Sequence, residues 1–220
     1  MVTAMAYRHT ENVARRLAAR HAAIIAAARE AASEGGMGAV QIAPVARRAG
    51  IAAGTVYRYF PGKTDLVAAL LAEITDREIG ALRQAGDVAP GPLSSLACAI
   101  MTFVARILRS RRLAFAAIAE PVDAELDPVR IRLRKALSAE FATRIAAAIA
   151  GGHLPEQDPS LAAVALIGVL IEASIGPLAP DVAGRERDRA QSLALIALRA
   201  LGLPDARARG IVVQTVVGDR

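Results

Sequence analysis

Apolar positions recur along this chain at the three-to-four-residue spacing of one helix face, and that spacing predicts a succession of helices. Ala22 to Ser33 reads as the end of a first helix, broken by Glu34-Gly35-Gly36-Met37-Gly38. Ile42, Val45, Ala46 and Ala49 then form one apolar stripe, with Arg47 and Arg48 off it. Pro44 falls in the first turn of that helix, where a missing N–H costs nothing, and Gly50 ends it. An equally short helix starts near Ala52 with Val56 and Phe60 inward, which leaves Ala53, Gly54, Thr55, Arg58 and Tyr59 on outward or flanking faces and Tyr57 at the edge. Thr64 begins a long helix in which Leu66, Leu70, Ile74 and Ala81 repeat to about Gln84.

The stretch 85–92 (AGDVAPGP) reads as the clearest loop, and a larger helical unit follows it. Leu96, Ile100, Phe103, Val104 and Ile107 mark the buried side of a helix over 93–108, which ends at Arg109, Arg111 and Arg112. A short helix over 113–120 is stopped by Pro121, and Asp127-Pro128 opens another that runs to Ala150. Its Arg130, Arg132, Arg134 and Lys135 read as a solvated face, salt-bridged to Glu125, Asp127 and Glu140, in preference to a second polyanion site. Asp158-Pro159 opens a helix whose Leu161–Ile171 run is apolar all round, too short for the ~20 residues a bilayer requires. The helix over 185–201 is apolar on nearly every face from Leu193 onward. One small core cannot cover two such helices, so their outer faces are expected to form a four-helix dimer interface through Leu161, Val164, Gly168, Ile171, Leu193, Ile196, Ala197 and Ala200. Pro204 is expected to end the folded part, leaving 205–220 as a tail with a β-prone Ile211–Val217 run.

Composition narrows the class to all-α. Hydrophobic residues make up 54% and aromatics only 3%, so the core must be built from Ala, Leu, Ile and Val, which suits closely packed helices better than a sandwich of sheets. The net charge is +6, of which residues 1–84 carry +4, so the basic bias lies where a polyanion would be met. Residues 1–19 form a basic extension with Arg8, Arg15 and Arg16, continued by Arg20; it reads either as an arm toward phosphates or as a solvated terminus. Its partly helical stretch, Glu11 to Ala19, extends the first helix. No long apolar run opens the chain, which argues against a signal peptide, and the single Cys98 fits an inert core position in a reducing cytoplasm. His9, His21 and His153 are scattered and lack Cys partners, so no zinc site is expected. No glycine-rich phosphate loop follows a strand, and Ser94, Ser95 and Cys98 have no base nearby. These observations point away from an enzyme, and no cofactor is expected.

Two short helices around a Gly-containing turn, with a third begun by Lys63-Thr64-Asp65, have the layout of a helix-turn-helix reader of double-stranded DNA. Gly54 beside Ala53 and Thr55 suits a helix end that must approach base edges closely. At Val45-Ala46, Ala49-Gly50-Ile51, Gly54-Thr55-Val56-Tyr57-Arg58-Tyr59-Phe60 and Lys63-Thr64-Asp65-Leu66, the chain resembles the TetR family of one-component transcriptional regulators. Ala27-Ala28-Arg29-Glu30 and Glu34 match upstream, so the resemblance spans roughly residues 20–67. Three positions depart from the pattern: Ala32 replaces a bulky aromatic, Gln41 a Thr, and Ala52 a Ser or Thr that would cap the following helix.

The resemblance implies an N-terminal three-helix DNA-binding domain (20–67) and a C-terminal helical ligand-binding and dimerisation domain (68–204). It implies that Ala53, Gly54, Thr55 and Arg58 face base edges while Tyr57, Tyr59 and Lys63 hold phosphates. The implied function is a homodimeric repressor on a partly palindromic operator, released when a small-molecule effector enters a pocket within 93–177. Met101, Phe103, Phe115, Glu120 and Glu172 are candidates for its lining, and so few aromatics suit an apolar effector. Two other readings stand beside it: a dimeric helical interaction protein with a vestigial helix-turn-helix, and a transcriptional activator.

Overall fold

The computed structural model describes residues 2–121, 124–180 and 185–215, with side chains from residue 13 onward. Among the described residues all regular structure is helical. The first helix, α1 (Val2–Gly35), is 34 residues long, so the basic extension is the continuous outer half of α1. From Val13 to Ala23 its side chains are exposed, and burial begins only at Ile24.

A 3-10 turn over Met37–Ala39 leads into α2 (Ile42–Arg48), α3 (Ala53–Tyr57) and α4 (Lys63–Asp87). Neither Gln41 nor Ala52 caps its helix with a side chain; Gln41 instead donates from Nε2 to the Gly38 carbonyl at 3.0 Å. Ala32 is fully buried at its departure from the family pattern.

The larger unit is built from α5 (Pro92–Arg109), α6 (Arg111–Ile118), α7 (Asp127–Ala150), α8 (Pro159–Ile175), α9 (Glu186–Ala200) and α10 (Asp205–Gln214). By length and composition α5 could cross a membrane, but it is the central core helix, packed against α4, α7, α8 and α9. Its five predicted inward residues, Leu96, Ile100, Phe103, Val104 and Ile107, are all buried. Asp158 caps α8 by accepting from the backbone N–H of Ser160 (2.8 Å) and Leu161 (3.4 Å).

Four local expectations are corrected. The loop expected over 85–92 is confined to 88–91, because α4 continues to Asp87. Gly86 belongs to that helix, and the Arg144 guanidinium crosses α4 where a Cβ at 86 would project. Glu140 is not part of a solvated face. It is buried and paired with Arg144 (2.7 Å) and Arg83 (2.9 Å), while Arg144 also donates to Ser95, to the Leu82 carbonyl and to Asp87. Arg130 likewise turns inward, toward the carbonyls of Ala116 and Ala117. The chain does not stop folding at Pro204, since 205–214 form α10, which buries Ala208 and Val212 against α9 and α5. Cys98 is half-buried on α5, and burial pushes its thiol up, which keeps it protonated at neutral pH.

Candidate nucleic-acid interface and effector chamber

The turn between α2 and α3 is built by Gly50, whose φ of 67° is a left-handed conformation that a Cβ would strain. The N–H of Ile51 returns to the Ala46 carbonyl at 3.0 Å and that of Gly50 to Arg47 at 3.1 Å, which satisfies the carbonyls at the end of α2. Arg48 ties α2 to α1 by donating two bonds to Glu34, at 2.7 and 2.5 Å, with Glu30 at 3.5 Å. That hydrogen bonding holds the Glu34 carboxyl below the usual carboxylate range, so the clasp stays charged at neutral pH.

Val56 and Phe60 are the anchors of α3, both buried. With these two inward, Gly54, Tyr57 and Arg58 are exposed, and Ala53, Thr55, Tyr59 and Lys63 are half-buried at the edges. A Cβ at Gly54 would meet nothing within 4 Å, so the protein's own packing does not demand glycine there. Tyr59 leans toward His21 of α1, with ring centroids 6.3 Å apart, and His21 lies 5.1 Å from the Phe60 ring. Tyr59 is thus partly a packing residue, while Tyr57 is 54% exposed. The seven predicted DNA-facing residues are brought together at this one end of the molecule.

Inside the larger unit, a chamber of about 50 Å³ lies between α4, α5, α6 and α7. Phe103 and Ile107, Leu113 and Ala117, and Leu133 and Leu137 make its apolar wall. It shares Ile74, Glu78, Arg106, Ser110 and Leu113 with an outer chamber of about 200 Å³ that adds Arg29, Arg77 and Arg109. Arg106 forms a bidentate pair with Glu78 at 2.7 and 2.6 Å where the two chambers meet.

The family model described as bacterial regulatory proteins, tetR family, matches residues 24–70, the span from the buried part of α1 through the start of α4. Over 46 residues the chain is 52% identical to the HTH-type transcriptional repressor KstR of Rhodococcus jostii (strain RHA1). That match spans 21% of this chain and 22% of the relative. The crystal structure of RolR in complex with resorcinol extends the likeness to 94% of this chain and 98% of its own, at 26% identity and a TM-score of 0.66. The match to the TetR family by sequence covers residues 24–70, and beyond them the likeness is one of fold. The fatty acid degradation regulator FadR of Bacillus halodurans shares the fold, with a TM-score of 0.73 at 22% identity over 84% of this chain and 97% of its own.

Within this fold the expected effector residues scatter. Phe103 lines the inner chamber, but Met101 is fully buried outside it. Phe115 packs under Arg112, whose guanidinium lies 5.9 Å from the ring centroid. Glu120 pairs with Arg112 at 3.2 Å and accepts from the Met37 N–H at 3.4 Å, so it belongs to the seam between the two domains. Glu172 is exposed and accepts from the Leu178 N–H at 3.3 Å. An aromatic or a carboxylate in an apolar sequence context does not reveal which helix face meets a void. Glu78 and Arg106 were missed because each reads as an ordinary solvated charge on its own helix.

The dimer-face residues also divide. Leu161, Val164, Gly168, Ile196 and Ala200 are exposed on α8 and α9, whereas Ile171, Leu193 and Ala197 are turned into the protomer's own core.

Proposed function

We propose that this protein is a DNA-binding transcriptional regulator, a homodimeric repressor that leaves a partly palindromic operator when a small-molecule effector fills its chambers. The observation that carries this reading is the surface of α3, where Gly54, Tyr57 and Arg58 stand exposed on a helix anchored by Val56 and Phe60. Ala53, Gly54, Thr55 and Arg58 face base edges, and Tyr57, Tyr59 and Lys63 hold phosphates that set register. The repressor sense is supported by the KstR match, and the effector by the resorcinol complex of RolR.

A dimer is supported by the exposed apolar residues of α8 and α9, which include Leu161 at 68% and Val164 at 59% exposure. With no side chain at Gly168 and open space around it, two such helices can approach closely. Pairing would set the two recognition helices about one helical turn of DNA apart, roughly 34–36 Å. An effector that favours another spacing then needs a differential affinity of only a few kcal/mol to empty the operator. The site of action is the cytoplasm, where the operator is.

The test is binding of the purified protein to DNA flanking its own gene against a scrambled fragment at near-physiological salt. A salt-robust preference is expected, and Arg58→Ala should relax discrimination at one base pair per half-site by about 1–3 kcal/mol. Weak, equal and salt-fragile binding to both fragments and to sequences selected from random DNA would instead favour a dimeric interaction protein with a vestigial helix-turn-helix.

A further inference from the structure

We propose that the two joined chambers bind a small carboxylate with an apolar body, the body between α5, α6 and α7 and the carboxylate among the arginines at the seam with α1. The inference rests on the effector-responsive reading above and names the chemical class of the effector. The inner chamber, at about 50 Å³, has room for roughly four waters at about 10–15 Å³ each. That limits the body to a single ring or a short chain. Its wall of Phe103, Leu113, Leu133 and Leu137 offers that body no polar partner.

The outer chamber is different in kind. Arg29, Arg77, Arg106 and Arg109 line it against a single carboxylate, Glu78. Glu73 offsets Arg77 at 3.5 Å, Glu78 offsets Arg106 and Arg109 has an interaction of its own, so the charge open to a ligand is that of Arg29. Among the described residues the half-buried Arg29 guanidinium makes no hydrogen bond or ion pair. Arg106 holds the Glu78 carboxylate with both branches of its fork, so its geometry accepts a planar carboxylate at the junction of the chambers. Glu78 therefore occupies the place of the ligand's head group. An incoming carboxylate competes with it for Arg106 and gains Arg29. Because Arg29 lies on α1 and Arg106 on α5, the bound anion ties the DNA-binding domain directly to the core helix.

The test is calorimetric titration of the full-length protein, without DNA, with benzoate and hexanoate and with their neutral counterparts benzyl alcohol and hexanol. The carboxylates are expected to bind about tenfold more tightly than the alcohols, with an affinity that falls as salt is raised. Arg29→Gln should weaken carboxylate binding, and Glu78→Gln, which removes the competing head group, should tighten it. The opposite signs separate this site from a general loss of folding, and a thermal melt of each variant checks that both are folded. Absence of carboxylate binding, equal affinity for acid and alcohol, or affinities unchanged in both variants would overturn the proposal. Carboxylate binding that leaves operator affinity unchanged would support the site while removing the release mechanism.

Discussion

Gly54 sits exposed on α3 with open space where a Cβ would project, although glycine is costly in a helix. Gly54→Ala should therefore stabilise the protein by about 0.5–1 kcal/mol. The same methyl group would stand between α3 and the base edges, so operator affinity should fall. A thermal melt beside a fluorescence-anisotropy titration reads both effects, and an alanine variant that keeps full affinity would remove Gly54 from the contact surface. Ser174 on α8 is the opposite case. It is fully buried, and its hydroxyl has no partner among the described residues. Ser174→Ala removes that unpaired group and should raise stability by about 1 kcal/mol, measured by denaturant unfolding. The hydroxyl's burial is invisible in the sequence, because α8 is apolar all round and every face of it looks alike.

Between elements, the seam from α1 to α6 is made by a few atoms. Gly36, at φ 76° and ψ −172°, adopts a conformation nearly restricted to glycine. The Arg112 and Glu120 side chains lie where its Cβ would be, with Glu120 accepting from the Met37 N–H. Gly36→Ala should cost about 1–3 kcal/mol by strain alone and displace the ion pair. Chemical denaturation gives the cost, and a raised rate of amide exchange at Met37 would show that the seam has opened. Unchanged stability would mean that the backbone turns another way there. The sequence shows Gly35-Gly36-Met37-Gly38 as a helix break but not its partner, which comes from more than 80 residues away. The same holds for Gly86, which looks like a loop residue until Arg144 is seen crossing α4.

For the whole molecule, the exposed stripe on α8 and α9 is the feature that one copy of the chain leaves uncovered. Leu161→Glu combined with Val164→Glu should give a monomer by light scattering and weaken operator binding, because a monomer engages one half-site. The fold of each protomer should persist, since both side chains are already exposed. A double variant that remains dimeric would move the interface elsewhere. The rotation of α8 about its axis, with Leu161 and Val164 outward and Ile171 inward, is set by its packing on α7 and α9.

What the sequence by itself determined was the number and order of most helices, the helix-turn-helix and the inward pair Val56 and Phe60. Each rests on local signals: an apolar stripe at helical spacing, a glycine at a turn, a proline or aspartate at a helix start. The tertiary structure decided what local signals cannot carry. The β-prone run is helical from residue 211 to 214, within α10, because Ala208 and Val212 find a buried place against α9 and α5, while Val216 and Val217 lie outside the described residues. Glu140 became a buried partner of Arg144, and Glu78 with Arg106 came to divide two chambers. In each case the deciding contact joins residues distant along the chain, and its energy depends on which faces meet once the helices are packed.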